Sequence, residues 1–304
     1  MIMILGGTGL VGSALADALI KAGQSLYLPT RADLISYQDF KEGDEERESI
    51  GHFIQDQLLK TTTLINALGI APGYGDREQR AVYRVQQAVI DEALKLKIPK
   101  IISFSALSHA KKVESIPYLH YKALIDNLLL SDAKESGLER YIIKPSLVFA
   151  ENSPSTRFFK GLTKVPLLGL PSAAQPPKAL SDNVGKRTGY CVSPISLIDL
   201  VDFTLTLLQF RQAKSVFEVG SENLYMGEYL KRFNPQLKIT RIPESAFKIG
   251  MLLLKSVYPG VAGGYAFTLL QAGSTPIHND FHKVMGRSAQ IPDIASMFLE
   301  GDFQ

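Results

Sequence analysis

Three side chains in this sequence are spaced to move a proton: Ser105, Tyr118 and Lys122. Tyr118 and Lys122 are four residues apart, so a helix through them carries both on one face. Tyr121 is adjacent to Lys122 and points elsewhere. A free phenol titrates at about 10, too high for easy exchange at neutral pH. An ammonium one turn away favours the phenolate and is expected to bring the tyrosine toward the working range. A serine at a sheet edge can hydrogen-bond the same substrate oxygen and hold it for the transfer. Tyr-x-x-x-Lys recurs by chance in many chains, and its placement is what gives it weight here. Ser105 closes the apolar run at residues 100–105, which reads as a buried strand. Pro117 marks the start of a helix over residues 118–133, because proline is tolerated in a first helical turn.

The opening of the chain supplies what these residues would act beside. Residues 2–5 are apolar, too few for a helix, and read as a strand buried on both faces. They run into Gly6-Gly7-Thr8-Gly9-Leu10-Val11-Gly12 and then an amphipathic stretch at residues 13–22. Strand, glycine turn and helix form the phosphate-binding unit of a dinucleotide fold. The turn brings backbone N–H groups close to a pyrophosphate, and the helix N-terminus behind it adds unpaired donors and partial positive charge. Residues 24–30 read as a second strand with Arg31 just past its end, where the adenosine ribose is expected. An acid there would take the 2′-hydroxyl of NAD, whereas an arginine pairs with the 2′-phosphate of NADP. The nearest acid, Asp33, lies two residues on, so the sequence points to NADP(H) over NAD(H).

Residues 38–48 are strongly charged and read as a solvated loop or short exposed helix, followed by a short helix at residues 50–59. A strand at residues 62–68 ends in Asn66-Ala67-Leu68-Gly69, whose mostly small residues let the adenine side of a cofactor approach the backbone. Residues 77–96 carry a helical apolar period. Strand and helix alternate in βαβ order, so the fold class is α/β with a doubly wound parallel sheet. Further strands are expected at residues 139–149 and 216–220, helices at 196–210 and 226–233, and a short apolar segment at 158–170. The proline-rich stretch at residues 166–187 is placed to line or cover a substrate site, and the remainder is largely helical. A dinucleotide-binding part is therefore expected from residues 1–150 and 190–225. A small discontinuous lobe from residues 151–189 and 226–304 would cap the carboxyl ends of the strands.

The sequence resembles the short-chain dehydrogenase/reductase superfamily, in its extended and atypical branches. Gly6, Gly9 and Gly12 match its G-x-x-G-x-x-G motif, and Ser105, Tyr118 and Lys122 match its catalytic serine, tyrosine and lysine. Asn66-Ala67-Leu68-Gly69 is similar to its segment on the fourth strand. Lys144-Pro145-Ser146-Leu147-Val148-Phe149 is similar to the segment whose backbone lies beside the nicotinamide. Pro194 to Val201 resembles a later strand-to-helix passage, so the likeness spans roughly residues 1–225. Ser105-Ala106-Leu107 looks most like the sugar-nucleotide-epimerase-like and complex I accessory-subunit group, many of whose members bind a dinucleotide but have lost the tyrosine, which this chain keeps. The resemblance implies a Rossmann domain and cofactor contacts from Gly6, Thr8, Gly9, Leu10, Val11, Gly12, Arg31, Asn66, Ala67, Leu68, Gly69, Lys122, Pro145 and Ser146. It implies an NADP(H)-dependent oxidoreductase acting on a carbonyl or hydroxyl of a small molecule. It leaves open an epimerase or dehydratase using the same residues, and a non-catalytic assembly or redox-sensing protein that keeps the cofactor as a ligand. Extended members commonly pair through two long helices, which makes a homodimer an option.

Composition narrows the partners. The chain has 304 residues, 45% hydrophobic and 21% charged, with a net charge of +3, which gives no reason to expect nucleic acid or an acidic membrane as partner. Cys191 is the only cysteine, so no intramolecular disulfide forms and nothing suggests an oxidising compartment. The first strand begins at Ile2, so no removable leader is expected, and the apolar stretch at residues 246–273 is broken by lysines, proline and glycines. A cytoplasmic protein without a membrane span is the expectation. His278, Asp280 and His282 form an H-x-D-x-H cluster, but no third firm ligand stands nearby and Asn279-Asp280 reads as a helix start, so no metal is expected. His109 and His120 flank the tyrosine and are assigned surface or capping roles.

Overall fold

The computed structural model describes residues 1–38, 45–111, 113–132, 137–176 and 190–291. β1 (Ile2–Leu5) is buried along its whole length. α1 (Leu10–Lys21) buries Leu15, Ala16 and Leu19 on one stripe. β2 is only Leu26–Tyr27, shorter than expected, because Pro29 has no N–H to give to a ladder. α2 (Arg31–Gln38) opens with a reciprocal cap: Thr30 N–H donates to the Asp33 carboxylate at 2.8 Å, and Asp33 N–H to Thr30 Oγ1 at 3.2 Å. α3 (Glu45–Leu59) extends the expected helix back into the charged stretch, whose residues 39–44 lie outside the described residues. β3 (Thr63–Asn66) ends where the Asn66 side-chain oxygen accepts Leu68 N–H at 3.3 Å, a turn that bends the chain off the sheet.

α4 (Asp76–Lys95), β4 (Lys100–Phe104), α5 (Pro117–Asp132) and β5 (Glu139–Pro145) follow. The strand expected over residues 139–149 divides at Pro145: Ser146 N–H goes to the Val219 carbonyl at 3.0 Å, and β6 (Val148–Phe149) leaves the sheet. α6 (Pro154–Leu162) and β7 (Leu167–Pro171) replace the single apolar segment expected there. Of the cover expected over residues 166–187, residues 177–187 lie outside the described residues. β8 (Cys191–Val192), β9 (Ile195–Ser196) and α7 (Leu197–Gln209) come next, α7 being capped by Ser196 Oγ on Asp199 N–H. β10 (Val216–Val219), β11 (Leu224–Tyr225), α8 (Met226–Phe233) and the unanticipated β12 (Lys238–Ile242) precede α9 (Glu244–Leu254), α10 (Gly264–Ala272) and α11 (Phe281–Met285).

Six strands form one parallel sheet in the order β10-β5-β4-β3-β1-β2. From β1 the chain moves to β2 on one side and to β3, β4 and β5 on the other. The direction therefore reverses between β1 and β3, and a crevice opens at the carboxyl ends of those strands. Leu15, Leu200, Phe203 and Leu207 pack helices on one sheet face, and Leu34, Ile54, Val89 and Ile125 on the other. This is the doubly wound Rossmann arrangement. A third core gathers Phe158, Phe159, Tyr229, Leu230, Phe247 and Phe267 from α6, α8, α9 and α10. Among the described residues no helix is long and apolar enough to cross a membrane.

Candidate active site

The turn after β1 is closed to side chains by its own backbone. Gly6 has φ +76°, and a Cβ there would stand 2.9 Å from the Ala67 carbonyl and the Leu68 backbone. A Cβ on Gly12 would stand 2.1 Å from the Gly6 carbonyl oxygen. The first turn of α1 thus lies against the loop, with Gly9 N–H on the Gly6 carbonyl at 2.9 Å. Thr8 and Gly9 are exposed at the helix N-terminus. A cradle that backbone alone can fill, in front of unpaired helix N–H groups, fits a pyrophosphate.

Ala67 and Leu68 are half-buried beside this turn and Gly69 is exposed. Asn66 differs from the expectation for a ligand contact. It is fully buried, and its side-chain amide donates to Gln86 at 2.9 Å and Ser103 at 3.0 Å. Its side chain therefore holds the strand end in place and has no surface to offer a cofactor. Arg31 stands exposed in the first turn of α2, while the Asp33 carboxylate is taken up by Thr30 N–H.

A cavity of about 360 Å³ opens at the carboxyl ends of the strands. Leu10, Val11, Pro145 and Ser146 border it together with Ser105 and Tyr118, so residues expected to touch a cofactor and residues expected to do chemistry share one space. Helix α5 delivers Tyr118, and among the described residues no hydrogen bond reaches its hydroxyl. Burial pushes the phenol up to about 12. The expected electrostatic pull by Lys122 is thus not the dominant effect here. The Lys122 ammonium is directed to the carbonyls of Phe104 at 2.7 Å and Leu68 at 3.2 Å. Burial brings Lys122 itself down to about 8, opposed by the nearby Asp126 charge. Tyr121 points to α4, donating to Asp76 and accepting from Arg80, both at 2.9 Å.

Ser105 also departs from expectation. Its hydroxyl donates to Asp126 Oδ2 at 2.8 Å, and Lys144 Nζ pairs with the same oxygen at 2.9 Å. Toward a substrate Ser105 is left as an acceptor. Asp126 is 4% exposed, and its second oxygen is buried with no hydrogen-bond partner among the described residues. This residue was not anticipated from the sequence, although a signal for it exists: Tyr118, Lys122 and Asp126 recur every fourth position on one helical face. Removing the Asp126 charge withdraws what holds Lys122 ionised, so the lysine must titrate lower still. Asp126→Asn is therefore expected to cut kcat/KM about a hundredfold by loosening Ser105, and to move the basic limb of the pH profile, set by Lys122 near about 8, to lower pH. A pH–rate profile checks both effects, and an unmoved limb would separate Asp126 from Lys122.

His109 ties the loop after β4 to Thr275, its Nε2 lying 2.8 Å from that carbonyl. His120 packs edge-on against Tyr121. Asp280, of the H-x-D-x-H cluster, accepts from Lys214 at 2.6 Å and from Glu218 N–H at 3.0 Å. Among the described residues no three His, Cys, Asp or Glu side chains are grouped to hold a metal.

Residues 2–167 match the model of the NAD dependent epimerase/dehydratase family, more than half of the chain. The chain belongs to that family. No curated protein matches the sequence. Solved structures share the family's fold at low identity. UDP-glucose 4-epimerase of Thermotoga maritima, with UDP-glucose, is 13% identical over 98% of each chain, with a TM-score of 0.63. L-threonine dehydrogenase of Phytophthora infestans is 10% identical over 98% of this chain and 96% of its own, at 0.62. MoeE5, in complex with UDP-glucuronic acid and NAD, is 13% identical over 95% and 94%, at 0.59. Within this epimerase/dehydratase fold, the described cavity occupies the crevice where open α/β sheets take their ligands.

Proposed function

We propose that this epimerase/dehydratase-family chain is a nicotinamide-dependent oxidoreductase acting on a carbonyl or hydroxyl of a small molecule, with NADP(H) favoured over NAD(H). The observation that carries the reading is the shared cavity. Tyr118, with an unengaged hydroxyl, faces the same space as the loop residues Leu10 and Val11 and the strand-end residues Pro145 and Ser146. A nicotinamide dinucleotide, when bound, supplies or accepts the hydride. Gly6, Gly9 and Gly12 would hold its pyrophosphate, with Thr8 beside them and the backbone of Ala67, Leu68 and Gly69 on the adenosine side. Lys122, spanning two strand ends, would hold the ribose beside Tyr118. Tyr118 would give a proton to the substrate oxygen in reduction and take one in oxidation, and Ser105 would accept from a substrate hydroxyl. The structure of MoeE5 holds NAD and another neighbour is an L-threonine dehydrogenase, which supports a nicotinamide dinucleotide and the reaction class, without bearing on the 2′-phosphate.

The preference for NADP(H) rests on Arg31 being exposed at the start of α2 while Asp33 is occupied by Thr30. A fluorescence titration is expected to show NADPH bound about tenfold more tightly than NADH, the increment of one charge-assisted contact. Arg31→Glu is expected to reverse the order. Equal affinities unaffected by that change would remove the NADP assignment, and no affinity for either would remove the oxidoreductase.

A further inference from the structure

The wall of the cavity opposite the cofactor-side residues is made by the capping elements: Phe158 and Phe159 of α6, Val261, and Ala266, Leu269 and Leu270 of α10. None of the described residues bordering the cavity carries a charge. Three of its serine hydroxyls already donate within the protein. Ser105 donates to Asp126, Ser146 to the Ser274 carbonyl, and Ser274 to the Leu107 carbonyl at 2.8 Å. Ser153 and Ser155 bond each other at 2.8 Å, and Ser108 accepts Ala110 N–H at 3.2 Å, so these add neutral O–H donors and no charge. Two ammonium groups beside lining residues already have partners: Lys122 gives two of its three N–H groups to carbonyls and keeps one for the cofactor ribose, and Lys144 pairs with Asp126.

A diphosphate or carboxylate placed here would lose its water and gain no cation from the described lining residues, a cost of several kcal/mol or more per buried charge. An apolar body costs nothing of the kind, and it gains contact with aromatic and aliphatic walls. Resting on the oxidoreductase reading above, we infer that the substrate is a small, uncharged and largely apolar ketone, aldehyde or alcohol, and that this pocket does not take a nucleotide sugar. The carbonyl oxygen is oriented by Tyr118, and the apolar remainder lies against α6 and α10.

The test uses calorimetry and nicotinamide absorbance on the full-length protein with reduced cofactor, and three probes: acetophenone, para-acetylbenzoate and UDP-glucose. Acetophenone and para-acetylbenzoate carry the same ketone without and with a carboxylate. Acetophenone is expected to bind at least about a hundredfold more tightly than para-acetylbenzoate, the difference a buried unpaired charge commands, with no binding of UDP-glucose. Leu269 is only half-buried, so Leu269→Arg places a cation on the wall without opening the core and is expected to turn the preference toward para-acetylbenzoate. If para-acetylbenzoate or UDP-glucose binds the unmodified protein at least as tightly as acetophenone, the substrate class is overturned while the oxidoreductase reading stands. If acetophenone binds as expected and neither it nor any other uncharged carbonyl oxidises the cofactor, the reading fails and the pocket assignment survives.

Discussion

Tyr118→Phe is expected to lower kcat by about a thousandfold or more, the range set by loss of a positioned proton donor, while NADPH affinity and Tm stay near their original values. The change deletes one oxygen. No described residue hydrogen-bonds that oxygen, so the fold loses no partner. Burial has already made ionisation unfavourable, holding the phenol at about 12, so at neutral pH the residue stands protonated and ready to donate. Oxidation asks more of it. The phenolate has to form, and Lys122, at about 8, is the ammonium on the same helical face that can stabilise it. Absorbance kinetics in both directions, a fluorescence titration and a melting curve check the three parts separately. Full turnover by the phenylalanine variant would strip Tyr118 of its role. A large fall in Tm would show the hydroxyl to be structural instead.

The parts of this site that local rules dictate were legible in the sequence, and the parts that depend on tertiary partners were not. The glycine turn could be read because backbone contact leaves no room for a Cβ at Gly6 or Gly12. Helix α5 could be read because Pro117 opens it and residues four apart share a face. What Tyr118 and Lys122 do to each other could not be read, since proximity in sequence says nothing about which carbonyls lie closer to the ammonium. Ser105 shows the same limit: its proton goes to Asp126, a residue 21 positions away. Asn66 matched a cofactor motif, yet its side chain proved to be a brace between Gln86 and Ser103. The elements of the third core were the least legible. β12 pairs with β7 across about seventy residues of chain, and α10 reads as ordinary core because Ala266, Leu269 and Leu270 are apolar whether they face a neighbour or a cavity.

Gly12→Ala is expected to abolish measurable dinucleotide binding and to destabilise the fold by about 1–3 kcal/mol, the usual cost of overpacking. The added carbon would stand 2.1 Å from the Gly6 carbonyl oxygen and 2.8 Å from its carbon. Neither obstacle is a flexible side chain that can swing away. Either α1 moves off the loop or the loop is pushed outward, and both changes take the backbone N–H groups away from a pyrophosphate. A control separates this from general backbone strain. Gly23 has φ +71°, and a Cβ there would meet nothing within 4 Å, so Gly23→Ala incurs about 1–2 kcal/mol of left-handed strain without touching the cradle. The two variants should therefore lose similar stability and differ in cofactor affinity, Gly23→Ala binding NADPH as the parent does. Melting curves and fluorescence titrations on both decide the matter. If Gly12→Ala still binds the dinucleotide normally, the opening loop is only a turn, and the pyrophosphate site must be sought elsewhere along the crevice.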